Sequence, residues 1–217
     1  MMMKTFYLPI ENVQETISER LIWLPHLILK TSRDRYLVNV FLLEKIQFAP
    51  RKSLLIFPFP ENVNLGHPEE CKRGVVVSMQ KLDFEEVIDD LERAYIESLE
   101  ISKSNAYRRA KYWGRLDFVR MFIPVGIYKL FSKNSDETLA EEFREASYAA
   151  TIFRETIFWR NERPTAEGVV YVPLFVIKRD DEVIILDRNL KENRIIMEVL
   201  RKEENAKKSI IKLIGSP

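Results

Sequence analysis

From Phe84 to Trp113, apolar residues return every three or four positions: Phe84, Val87, Ile88, Leu91, Tyr95, Leu99, Ala106, Ala110 and Trp113. That period is one face of an amphipathic helix, about 45 Å long at 1.5 Å per residue. Asp83 stands at the N-cap position with Glu86 three residues on, and Gly114 is a natural stop. A second stripe follows: Leu139, Phe143, Ala146, Ala150, Phe153 and Ile157, led by Ser135 and closed by Arg163 and Pro164. Residues 114–130, between the two, are apolar and aromatic but broken by Pro124 and Gly126. Two long helices in succession, able to pack as an antiparallel pair, argue against a chain of alternating βαβ units.

Strand patterns lie on either side. Lys4–Pro9 is short and aromatic, and Glu11–Arg20 reads as a short helix. Leu21–Lys30 is apolar, and Pro25 inside it implies an edge strand or a bent one. Tyr36–Phe48 alternates roughly, Ser53–Phe59 is a continuous apolar run, and Gly74–Leu82 is rich in valine. After the helices, Gly168–Lys178 and Val183–Leu186 flank Arg179-Asp180-Asp181-Glu182, the composition of a hairpin turn, with Pro173 marking an edge or a bulge. Asn189 is placed to cap a last helix through Arg201 or beyond. The expected fold is α+β: a mainly antiparallel sheet, a long central helix pair and a C-terminal helix. The chain reads as one domain over residues 1–217, with a two-lobed split near residue 82 as the alternative.

Composition narrows the function. Thirty-four basic residues against 33 acidic ones give a net charge of +1, so an electrostatic partner must be read by a local patch rather than by a whole-molecule field. The single cysteine, Cys71, excludes an intramolecular disulfide. The longest apolar stretch, Val119 to Phe131, is interrupted by Arg120 and Lys129 and is too short to span a bilayer. Residues 1–10 do not resemble a signal peptide. These features give the expectation of a soluble cytoplasmic protein with no membrane contact. Scarce glycine and glutamine beside abundant Lys, Arg and Glu fit a protein from a hot environment.

Four groups of residues have the composition of a site. Over residues 101–130 seven basic side chains (103, 108, 109, 111, 115, 120, 129) face Asp117 alone. Helical spacing puts Lys103, Tyr107, Arg108, Lys111 and Arg115 on one solvent face, with Trp113 turned inward. Arginine with an aromatic ring suits phosphate pairing and base stacking. The plainer account is charge matched to the helix dipole, since the same helix begins with Glu86 and Asp90. A second basic-aromatic group, Phe158, Trp159, Arg160 and Arg163, falls off the apolar stripe of the second helix, so that end is either sandwiched inside the domain or offered to a partner.

Asp180, Asp181 and Asp187 could hold Mg²⁺ for phosphodiester hydrolysis, yet acidic residues between two apolar runs also make an ordinary turn. His67 and Cys71, in "HPEEC", fall short of a zinc ligand set. Glycine-rich phosphate loops, GxSxG and HExxH are all missing. The expectation is a non-catalytic binding or assembly protein, without cofactor or metal. Its partner would be a protein, a second copy of the chain, or nucleic acid, met through basic-aromatic helix faces. The alternative is a metal-dependent, nuclease-like phosphodiester hydrolase.

Overall fold

The computed structural model describes residues 4–9, 21–61, 65–66, 74–78, 83–104, 135–179 and 182–215. The fold is α+β. Strands β1 (Lys4–Tyr7), β2 (Leu21–Lys30), β3 (Arg35–Asn39), β4 (Ile56–Pro58), β5 (Val75–Val76), β6 (Thr165–Arg179) and β7 (Glu182–Leu186) form one mostly antiparallel sheet. Helices α1 (Val40–Leu43), α2 (Phe84–Lys103), α3 (Ser135–Glu155), α4 (Arg194–Lys202) and α5 (Glu204–Gly215) accompany it, with 3₁₀ turns at Ala49–Leu55 and Trp159–Asn161.

The sheet is built on one long antiparallel pair, β2 with β6, running from Leu21↔Phe175 to Lys30↔Thr165. Each of these strands has two shorter strands end to end along its other side. For β2 they are β5, at Ile22 and Trp23, and β3, from His26 onward. For β6 they are β1, at Gly168–Tyr171, and β7, from Phe175 onward. Pro25 and Pro173 fall in the gaps between those ladders. The edge half of each proline reading is therefore corrected: neither strand is an edge. A residue without an N–H is tolerated where the neighbouring ladder is interrupted.

Successive residues of β2 are buried on both faces of the sheet, which is why the strand reads as a run of apolar residues interrupted only by His26. The main core joins Leu27 and Leu29 of β2 and Val38 of β3 to Ile88 and Leu91 of α2, Phe153 of α3, and Ile196 and Val199 of α4. Residues of opposite parity, Ile28, Leu37 and Val170, form a second cluster with Leu8. A third gathers Leu21, Trp23 and Phe175. Beside it Tyr7 stacks on Tyr171 at 5.0 Å and meets Trp23 edge-on at 5.7 Å.

Several expected elements end early, each for a local reason. The first helix does not run on to Gly114. Ser104 is extended, at φ −62° and ψ 132°, and its N–H donates to the carbonyls of Glu100 and Ile101. The hydroxyls of Ser98 and Ser102 bond back to Ala94 and Leu99, the competition for backbone groups that makes serine a poor helix interior. The strand expected over Tyr36–Phe48 becomes α1 at Asn39, whose Oδ1 accepts the Leu42 N–H at 3.0 Å. Pro50 opens a 3₁₀ turn where Ser53–Phe59 read as a strand, leaving only Ile56–Pro58 extended. The last helix is capped by Asn193, not Asn189, and breaks at Glu203.

Glu203 is 4 % exposed, and its carboxylate accepts from Arg51 Nη1 at 3.0 Å and from the Gln47 N–H at 3.1 Å. Arg51 also donates from Nε to Glu145 at 2.8 Å. One guanidinium thereby ties the 3₁₀ turn to α3 and to the α4–α5 junction. Lys202 extends the network to Glu141, Glu145 and Glu198.

Candidate functional site

Among the described residues, the end of the second helix places a chemically loaded surface. After Glu155 the chain leaves helical geometry, and the Phe158 N–H reaches back to the Phe153 carbonyl at 2.8 Å. Ile157 and Phe158 both turn inward, at 0 % and 5 % exposure. Phe158 stacks on Tyr95 of α2, with ring centroids 5.3 Å apart and planes within 13°. The partner-surface reading of Phe158 is thereby corrected: it is core. Off-stripe residues can be buried here because the stripe's helix has already ended.

Its neighbour Trp159 stays partly exposed. The Arg33 guanidinium lies 4.9 Å from its ring centroid and that of Arg160 lies 5.9 Å away. Cation–π contacts of this kind contribute about 0.5–1 kcal/mol each at exposed sites. Arg160 and Asn161 both occupy left-handed backbone, with φ of 53° and 61°. That costs Arg160 roughly 1–2 kcal/mol and Asn161, whose short polar side chain tolerates the region, less, and the carbonyls of Phe158 and Trp159, accepting from the Asn161 and Glu162 N–H groups, hold them there.

Arg33 comes from the turn between β2 and β3. The Thr31 hydroxyl donates to the Asp34 carbonyl and accepts from the Arg33 and Asp34 N–H groups, a local closure typical of threonine in turns. Lys30 and Arg35, paired across the hairpin, share Glu167 of β6 at 3.5 and 3.9 Å. Arg35 also lies over Phe59 at 4.4 Å. Arg33 and Arg160 are thus exposed beside Trp159, and the same hairpin exposes Lys30 and Arg35, partly offset by Asp34 and Glu167. Nothing in the periodicity of the sequence links Arg33 to Trp159; the contact exists only because the β2–β3 hairpin and the end of α3 meet.

Arg163 continues the same segment and faces the other way electrostatically. It bridges Glu85, Asp89 and Glu92 on the outer face of α2. Those carboxylates, with Asp83 and Glu86, outnumber Arg93 in lining an open groove of about 650 Å³ in which Ile96 is the exposed apolar residue.

The other sequence candidates fare differently. Lys103 ends α2 and is exposed; Tyr107, Arg108, Lys111 and Arg115 lie outside the described residues, as does Trp113. Asp187 organises its own turn: Oδ1 accepts the N–H groups of Asn189 and Lys191 at 2.8 and 3.0 Å, which holds Leu190 in left-handed backbone. Asp180, Asp181, His67 and Cys71 lie outside the described residues. Among the described residues no three His, Cys, Asp or Glu side chains gather as a metal site.

His26 is 3 % exposed, faces Asn39 across β2–β3, and donates from Nδ1 to the Leu24 carbonyl at 3.0 Å. Burial pushes its pKa down to about 4, against the smaller opposing pull of that carbonyl. It is neutral near pH 7 and out of reach of solvent, which suits a structural role and not general acid–base chemistry.

No protein-family model, curated protein or solved structure matches the chain. No helix among the described residues is long and apolar enough to cross a membrane.

Proposed function

We propose that the chain is a non-catalytic binding or assembly protein, and that its contact surface is Trp159 with Arg33, Arg35 and Arg160, facing a protein or nucleic-acid partner. One observation carries the reading. A tryptophan is kept partly exposed within reach of two guanidinium groups, one of them on Arg160, itself held in left-handed backbone. Local strain of that kind persists where surrounding structure enforces it, and it concentrates at working surfaces. Tryptophan and arginine are also the residues that most often dominate interface energetics. A guanidinium beside an aromatic ring can still offer N–H donors to a carboxylate or phosphate.

The test is the accessibility of Trp159, read by hydroxyl-radical footprinting with peptide-level mass spectrometry. It is measured on dilute purified protein, in native extract, and with mixed-sequence single strands at low salt. The expected result is protection in the extract or on the strands. That protection should be lost in the Arg33→Ala, Arg160→Ala double variant. Equal oxidation of Trp159 in all three settings would refute the reading.

A further inference from the structure

We infer, building on that reading, that the partner of the Trp159 surface is a second copy of this chain, bound so that each copy's basic side meets the other's acidic groove. The two surfaces adjoin: the basic side ends at Arg160, and Arg163, three residues later, already lies among Glu85, Asp89 and Glu92. A molecule with both signs on neighbouring patches is complementary to itself after a half-turn, which is the requirement for an isologous pair.

Three further observations favour this occupant. The intramolecular Arg163 contacts show that the groove accepts a guanidinium. Each side also has an apolar centre, Trp159 on one and Ile96, 47 % exposed, on the other. The net charge of +1 removes the whole-molecule repulsion that would keep copies apart. A nucleic acid approaching Trp159 would instead meet the α2 carboxylates beside it.

The experiment is sedimentation velocity of the full chain across a concentration series, at low and high salt. Two variants accompany the wild type, Arg33→Glu with Arg160→Glu, and Glu86→Lys with Glu92→Lys, with folding of each verified by circular dichroism. The expected result is a dimer at low salt that dissociates as salt screens the contacts, over a length of about 10 Å at 0.1 M. Each charge-reversed variant should associate about a hundredfold more weakly, because like charges then face each other. An equimolar mixture of the two should recover a heterodimer, since the reversed groups of one variant then face the reversed groups of the other.

A wild type that stays monomeric overturns the inference, as does a dimer indifferent to both variants or a mixture that fails to associate. The footprint of Trp159 separates the two levels. Protection by single strands or in extract, with a monomeric purified chain, removes the second copy and leaves the binding surface standing. No protection anywhere removes both.

Discussion

Acidification should destabilise this protein, and one buried side chain, His26, should carry a separable part of the loss. His26 sits in the middle of the sheet at 3 % exposure, with Phe57 the aromatic neighbour at 6.1 Å. Its folded pKa is held at about 4 by burial, against 6.5 for a free histidine. Between those values the unfolded chain binds a proton that the folded chain refuses, so stability must rise with pH across the window and fall as pH drops. One full proton corresponds to about 1.4 kcal/mol per pH unit. Across the window the loss reaches about 3 kcal/mol by pH 4, and it is absent above roughly pH 6.5. That is a large share of a typical total of about 5–15 kcal/mol.

Urea unfolding at closely spaced pH values from 4 to 7 would measure it, on the wild type and on His26→Gln. Whatever the glutamine costs at pH 7, the difference between the two curves should shrink by about 3 kcal/mol on going to pH 4, because only the wild type carries the proton-linked loss. Parallel curves would refute the argument. So would an NMR titration of the His26 ring with a midpoint near 6.5.

Other substitutions separate core from surface. Phe158→Ala should cost about 3–5 kcal/mol in urea unfolding, as expected for a buried ring. Trp159→Ala, one residue on, should cost under about 2 kcal/mol, since part of that ring is already in water. Arg51→Met should cost about 3–5 kcal/mol by leaving the Glu203 carboxylate buried without its guanidinium, and adding Glu203→Gln should recover part of the loss in a double-mutant cycle. Asn193→Ala should cost about 1 kcal/mol by removing the cap of α4, and Asn189→Ala should cost less in the same assay.

Period and punctuation made much of the fold legible in advance. The stripes of α2 and α3 up to Leu99 and Phe153, the hairpin of β6 and β7, and the α+β order all follow from spacing, because side chains repeat with the geometry of the backbone that carries them. Helix ends were less legible. A stripe continues on paper through Ala106 and Trp113, whereas Ser98, Ser102 and Ser104 spend their hydroxyls or backbone groups in ways that end α2 at Lys103.

The prolines show the limit most clearly. Pro25 and Pro173 carry a local rule that they avoid the inside of a sheet, and the rule holds at the scale of single hydrogen bonds. Which bonds are absent depends on where β3, β5, β1 and β7 happen to stop, and no local window contains that information. The candidate surface divides along the same line. Sequence alone singled out Trp159, Arg160 and Arg163 as a basic-aromatic group that a partner could use. Tertiary structure turned Phe158 inward, drew Arg33 from 126 residues earlier onto the Trp159 ring, and set Arg163 against the acids of α2. Periodicity reports which face of an element avoids water; only the packing of one element on another decides which charges become neighbours.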